Sequence, residues 1–156
     1  MLVRRWLSFE VRPLPWILMT KSTRSARLRW TGEGMVFEGR TGEARPIHLD
    51  GDSTEGPSPM EALLLSIGGC MAIDIQAILG KGRVPLDSLE VSLEGDRAGS
   101  HPKRFTALRM NVHVAGPDES HRAKVERAVQ LSQDKYCSVF HSLQPDLDVD
   151  IQVDLA

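Results

Sequence analysis

Cys70 and Cys137 are the residues of this chain best equipped for chemistry, and they are its only two cysteines. A thiol can pack in a core, ligate a metal or, as thiolate, attack an electrophile. The two lie 67 positions apart, unlike the dense spacing of a secreted disulfide scaffold. No CxxC motif is present, which removes the zinc knuckle and the thioredoxin-type dithiol. On composition alone the plain reading is two unrelated buried thiols, since free cysteine is among the most buried residue types. Local sequence separates them. Asp74 lies one turn beyond Cys70, and a nearby carboxylate disfavours a thiolate; Asp74 could instead be a buried cap or an arginine's partner. Cys137 has Lys135 nearby and is expected to open a short helical turn, where dipole and cation favour the thiolate. By local physics Cys137 is therefore the more acidic thiol. His141 follows Cys137 by four positions, and Cys-x3-His on one helical face would be half of a metal site, but no further ligands accompany it.

The elements that must position these thiols can be read from pattern. "PSPMEALLLSIGGCMAIDIQAILG", residues 57–80, is a helix. Ser58 is its N-cap, Pro59 its first residue and Glu61 completes a capping box, with Gly80 or Gly82 ending it. Ser66, Asp74 and Gln76 break the apolar run and argue against a membrane span. Nearly every side of this helix is apolar, so one sheet cannot cover it; a symmetric homodimer is the economical solution. Gly68-Gly69 each cost roughly 1 kcal/mol relative to alanine, a cost that close approach of another backbone would justify.

Residues 26–31 and 35–39 are short strands joined at Gly32-Glu33-Gly34, and 45–49 is a third. Leu89, Val91 and Leu93 alternate with polar residues, as do Leu108, Met110, Val112 and Val114, predicting two half-buried strands. Asp118 caps a second helix whose narrow inner stripe is Val125, Ala128, Val129 and Ser132. Leu147, Val149, Ile151 and Val153 mark a final strand. The order is βββ-α-ββ-α-β, an α+β architecture with antiparallel pairing and the helices on one face.

A chain of 156 residues is expected to form one domain and to bury a core without a metal or disulfide. Residues 1–30 carry seven of the 19 Lys/Arg and one of the 21 Asp/Glu, so the remainder is acidic, which argues against nucleic acid as the main partner. Residues 1–24 have Arg4-Arg5 before apolar residues, yet Glu10, Arg12, Pro13 and Pro15 interrupt the run and no cleavage site follows. They are read as an N-terminal extension or arm, with the domain over 25–156 and residues 1–18 open to being an artefact of start-site choice ahead of Met19.

With these elements in place, the chain resembles the OsmC/Ohr family of osmotically inducible and organic hydroperoxide resistance proteins, most of all its YhfA-like branch. Two segments carry the resemblance: "GPSPMEALLLSIGGCMAID" around Cys70 and "DKYCSV" around Cys137. It covers about residues 25–155. The resemblance implies an intertwined homodimer with a long helix from each subunit buried between sheets. It implies thiol-dependent reduction of organic hydroperoxides, with Cys70 the peroxidatic and Cys137 the resolving thiol. The partners would be a second copy, a hydroperoxide and a dithiol reductant, with no cofactor, metal, nucleic acid or membrane, in a cytoplasmic stress-response setting. Two positions depart from the hydroperoxide reductases, which use an arginine near the first hairpin turn and a glutamate directly after the helix-start proline. Here Met60 follows Pro59, and Glu61 is the displaced acid, a third candidate site residue that already has a sufficient task in the capping box. Arg29, Arg40 and Arg45 are the nearby arginines. The competing functions are an oxidation sensor or small-ligand-binding dimer of the same fold, and a metal site of Cys70, Cys137 and His141.

Overall fold

The computed structural model describes residues 23–156. The expectation of an arm over residues 1–24 therefore falls almost wholly outside the described residues. The first three strands, β1 (Arg27–Trp30), β2 (Val36–Arg40) and β3 (Ile47–Asp50), form an antiparallel sheet of their own. Alternation gives this sheet two chemically distinct faces. In register, Leu28, Gly39 and Ile47 lie side by side, as do Trp30, Phe37 and Leu49; between these rows, Arg29, Glu38 and His48 point the other way.

The loop after β3 is organised by Asp50. Its buried carboxylate accepts from the backbone N–H groups of Asp52, Thr54 and Glu55 and from Thr54 Oγ1, at 2.8–3.1 Å. These bonds hold the carboxyl far below the usual carboxylate range. The loop delivers the chain to α1 (Pro59–Lys81) through the expected capping box: Ser58 accepts from the Glu61 N–H, and the Glu61 side chain accepts from the Ser58 N–H. Gly82 ends the helix.

After α1 come β4 (Ser88–Arg97) and β5 (Phe105–Ala115), then a 3-10 turn over Glu119–His121 capped by Asp118, then α2 (Arg122–Leu131). The helix widens into a π turn over Ser132–Tyr136, passes a second 3-10 turn at Phe140–Ser142, and returns as β6 (Asp148–Leu155). The second sheet has the order β4-β5-β6. Here one expectation is corrected: β4 and β5 are antiparallel, but β5 and β6 are parallel. A hairpin reverses the chain, whereas α2 and its flanking turns carry it back along the sheet as a crossover, so β6 starts from the same end as β5.

Ile67, Met71, Ile75 and Leu79 recur every four residues along α1 and are fully or almost fully buried. They join Leu108, Met110, Val112 and Val114 of β5 and Val125, Ala128 and Val129 of α2 in one core. The opposite side of α1 is uncovered: Leu65 is 67% and Ile73 69% exposed. The apolar face of the first sheet is open too, with Leu28, Trp30, Phe37 and Ile47 all exposed. By length and composition alone α1 would pass as a membrane span, but its other side is packed on β4 and α2.

The two glycines have different surroundings. Gly68 is buried, and a Cβ built on it would lie 2.7 Å from Leu93 Cδ1 of β4. Gly69 is exposed with nothing within 4 Å. Close packing within the chain thus accounts for Gly68, while Gly69 sits on the uncovered side. Gly68→Leu is expected to overpack the α1–β4 contact and cost about 1–3 kcal/mol in denaturant unfolding. In an isolated subunit Gly69→Leu should instead gain about 0.5–1 kcal/mol, because the position is exposed and open and leucine is the better helix former.

Candidate functional site

The site lies where the middle of α1 meets the turn that follows α2. Cys70 is half-buried on α1, beside the core stripe. Cys137 directly follows the π turn and is 0% exposed. Its backbone N–H donates to the Ser132 carbonyl at 2.9 Å, closing that turn. The Phe140 N–H donates to Cys137 Sγ at 3.4 Å, and the His141 N–H to the Cys137 carbonyl at 3.1 Å. The thiol therefore sits at the start of a short helical turn, as the sequence predicts.

The expected acidity of Cys137 does not follow. Burial pushes its thiol up to about 11. The Phe140 N–H opposes this, but Cys70, as hydrogen-bond partner and charge, and the Asp74 carboxylate both push it further up. Lys135, the cation expected to help, places Nζ 5.4 Å from the Tyr136 ring centroid. Removing an ion from water outweighs one backbone dipole, and local sequence carries no record of burial. Cys70, 67 positions away, packs against the same core that contains Cys137.

Asp74 is half-buried, and its Oδ2 accepts from the buried Ser132 Oγ at 2.9 Å. This bond ties α1 to the π turn between residues 58 positions apart. Of the alternatives for Asp74, the partner is a serine and not an arginine. Ser132 was visible in sequence only as a member of the inner stripe of α2; nothing in the pattern marked it as a tether.

Glu61 stands at the far end of α1. Its Oε2 accepts from Ser58 N at 2.7 Å, Ser58 Oγ at 2.6 Å and Ser53 Oγ at 2.6 Å, which holds the carboxyl down at about 2. Cys70 stands nine positions further along the helix, a rise of about 13 Å, so the two do not meet within one chain. Arg40 is paired with Glu38 at 2.9 Å, and Arg29 lies opposite Glu38 in the sheet. Among the described residues, neither these nor Arg45 bonds to a cysteine. His141 is exposed with its ring edge-on to Phe140. Among the described residues no three His, Cys, Asp or Glu side chains are arranged to hold a metal ion.

A half-buried thiol beside a fully buried one, with a carboxylate between helix and turn, is a dithiol site set in an α+β fold of two three-stranded sheets. The model of the OsmC-like protein family matches residues 50–152, and the chain belongs to that family. It is 41% identical to Protein YhfA of Escherichia coli strain K12 over 125 residues, covering 80% of this chain and 92% of YhfA. A crystal structure of a hypothetical protein from Aquifex aeolicus is similar with a TM-score of 0.74 and 29% identity, over 87% of this chain and 99% of that one. An organic hydroperoxide resistance protein OsmC of Legionella pneumophila, also described as a predicted redox protein, shares the fold with a TM-score of 0.61 and 16% identity, over 85% and 97% of the two chains.

Proposed function

We propose that this chain is a thiol-dependent reductase of organic hydroperoxides, working as a homodimer in the cytoplasm and reset by a dithiol reductant. The observation that carries the reading is that Cys70 and Cys137 pack in one core at the junction of α1 and the π turn, which Ser132 ties together through Asp74 and the Cys137 N–H. Cys70, the more accessible thiol, attacks the hydroperoxide O–O bond as thiolate and becomes a sulfenic acid, while the alkoxide leaves and is protonated by solvent to the alcohol. Cys137 condenses with it to a disulfide and releases water. Thiol–disulfide exchange with a dithiol restores both. Glu61 acts in this reading as the helix cap. The uncovered side of α1 and the apolar face of the first sheet supply the surface a second copy would bury.

The experiment is a titration of reduced protein with one equivalent of cumene hydroperoxide. The expected result is loss of both free thiols and an intramolecular Cys70–Cys137 disulfide by mass spectrometry, followed by repeated turnover when a dithiol is added. Two free thiols after exposure would sink this reading. The absence of an arginine bonded to either thiol among the described residues favours the other reading, a sensor or ligand-binding dimer. That reading predicts a single oxidation event with no multiple turnover.

A further inference from the structure

We infer that Asp74 is the base that receives the proton of Cys137 as the disulfide closes, and that Ser132 is the positioning residue that holds Asp74 there. The inference rests on the assignment of Cys70 and Cys137 as a redox pair and adds a catalytic group to it.

Closure poses a specific difficulty here. Cys137 is 0% exposed, and burial keeps it a thiol at neutral pH, with its value raised to about 11. It must lose a proton to become a nucleophile, and at neutral pH its burial leaves bulk water a poor acceptor. An internal acceptor is needed. The N–H group that touches its sulfur, that of Phe140, is a donor and cannot serve. Asp74 can. It lies one turn after Cys70 on the same face of α1. Ser132 bonds both to its carboxylate and to the Cys137 backbone, which sets the carboxylate against the turn that carries the thiol. Ser132 fixes it from both sides of the gap: its hydroxyl donates to Asp74 Oδ2 at 2.9 Å, and its carbonyl accepts from the Cys137 N–H at 2.9 Å. Among the described residues the second oxygen, Oδ1, accepts no hydrogen bond. Because the π turn runs from Ser132 to Tyr136, one widened turn carries both the tether of the carboxylate and the backbone anchor of the thiol.

The step balances without further reactants. An organic hydroperoxide ROOH has oxidised the Cys70 thiolate to a sulfenic acid; the O–O bond breaks, and the departing alkoxide takes up from solvent the proton that the Cys70 thiol had released, leaving as ROH. The Cys137 S–H proton then passes to Asp74 as the Cys137 sulfur attacks the Cys70 sulfur. The S–S bond forms, the S–O bond of the sulfenic acid breaks, and the departing hydroxide takes the proton back from Asp74 as water. Asp74 ends as it began. The sulfur pair has given up two electrons, and the hydroperoxide has been reduced to ROH and water.

The test separates the two chemical steps by rapid mixing of reduced protein with cumene hydroperoxide, trapping the sulfenic acid in one series and quenching for disulfide in another. In Asp74→Asn the sulfenic acid should form at least as fast as in the parent, because a negative charge near Cys70 has been removed. Closure should slow by about 100-fold at neutral pH, the low end of general-base contributions. The deficit should shrink as pH rises, because hydroxide then replaces the missing base. Ser132→Ala keeps the carboxylate but frees it, and should slow closure by about tenfold. The parent alone gives an independent reading if Asp74→Asn folds poorly. Closure through an internal base is flat between about pH 6 and 9, whereas closure through hydroxide on a thiol of this kind rises tenfold per pH unit. Parental closure rates in Asp74→Asn, an equal deficit at every pH, or a tenfold-per-unit rise in the parent would each overturn the inference. In all three of these outcomes the parent still forms its disulfide, so they leave the redox pair standing; a parent that forms none removes the pair itself and the role of Asp74 with it.

Discussion

Cys70→Ser is expected to abolish hydroperoxide consumption, a loss of at least about a thousandfold, while Cys137→Ser keeps the first step and loses the rest. The asymmetry follows from burial. A serine hydroxyl at position 70 is a far weaker nucleophile than a thiolate, and the remaining thiol, Cys137, is fully buried and held protonated. In Cys137→Ser, Cys70 still attacks, but no second thiol condenses with the sulfenic acid. One equivalent of peroxide is consumed in a burst, and the protein gains the mass of one oxygen at Cys70. Stopped-flow peroxide consumption paired with intact mass reads both variants. If Cys137→Ser were silent in the burst and Cys70→Ser were not, the two roles would be exchanged, as the local sequence around Lys135 and Cys137 had suggested.

The second large effect concerns assembly. Ile73 is 69% exposed at the centre of the uncovered side of α1, next to the shallow apolar groove lined by Leu64, Leu65, Gly68, Gly69, Ala72, Val91 and Leu93. On a monomer surface Ile73→Glu would change stability by no more than about 0.5 kcal/mol. In a two-fold seam the same change buries two unpaired carboxylates, one from each copy. At a cost of about 3 kcal/mol or more, dimer affinity should fall over a hundredfold. Sedimentation across a concentration series is the measurement. A parent that stays monomeric at micromolar concentration, or an Ile73→Glu protein as dimeric as the parent, would remove the subunit seam from α1.

The sequence made the elements legible wherever a local rule governs them. The capping box at Ser58 and Glu61, the first hairpin at Gly32-Glu33-Gly34 and the alternation of β4, β5 and β6 all depend on residues a few positions apart. The parallel pairing of β5 and β6 escaped because alternation records which face a side chain takes, not which way the strand runs. The acidity of Cys137 escapes local pattern for a related reason. Lys135 and the helical turn are local and were visible, but the desolvation that outweighs them comes from the whole core. Gly68 and Gly69 looked equivalent in sequence, yet Leu93 of β4 distinguishes them. The bond from Ser132 to Asp74 joins residues 58 positions apart, and no periodicity announces such a pair. The neighbouring of the two cysteines was legible only through the family resemblance, because spacing alone does not fix which distant thiols meet.

The first sheet has one more consequence. Its three strands have four or five residues each, and their apolar face is left open by the rest of the chain. Such a small sheet gains little from its own hydrogen bonds and needs its apolar face covered to persist. In the proposed dimer that cover arrives with another molecule, so maturation is a bimolecular event. A newly made chain waits for a sister, and the wait lengthens as sisters become scarce: halving the supply of chains doubles it. The amount of working protein would then rise more steeply than the amount of protein made, so a cell would gain a threshold from the shape of a single sheet.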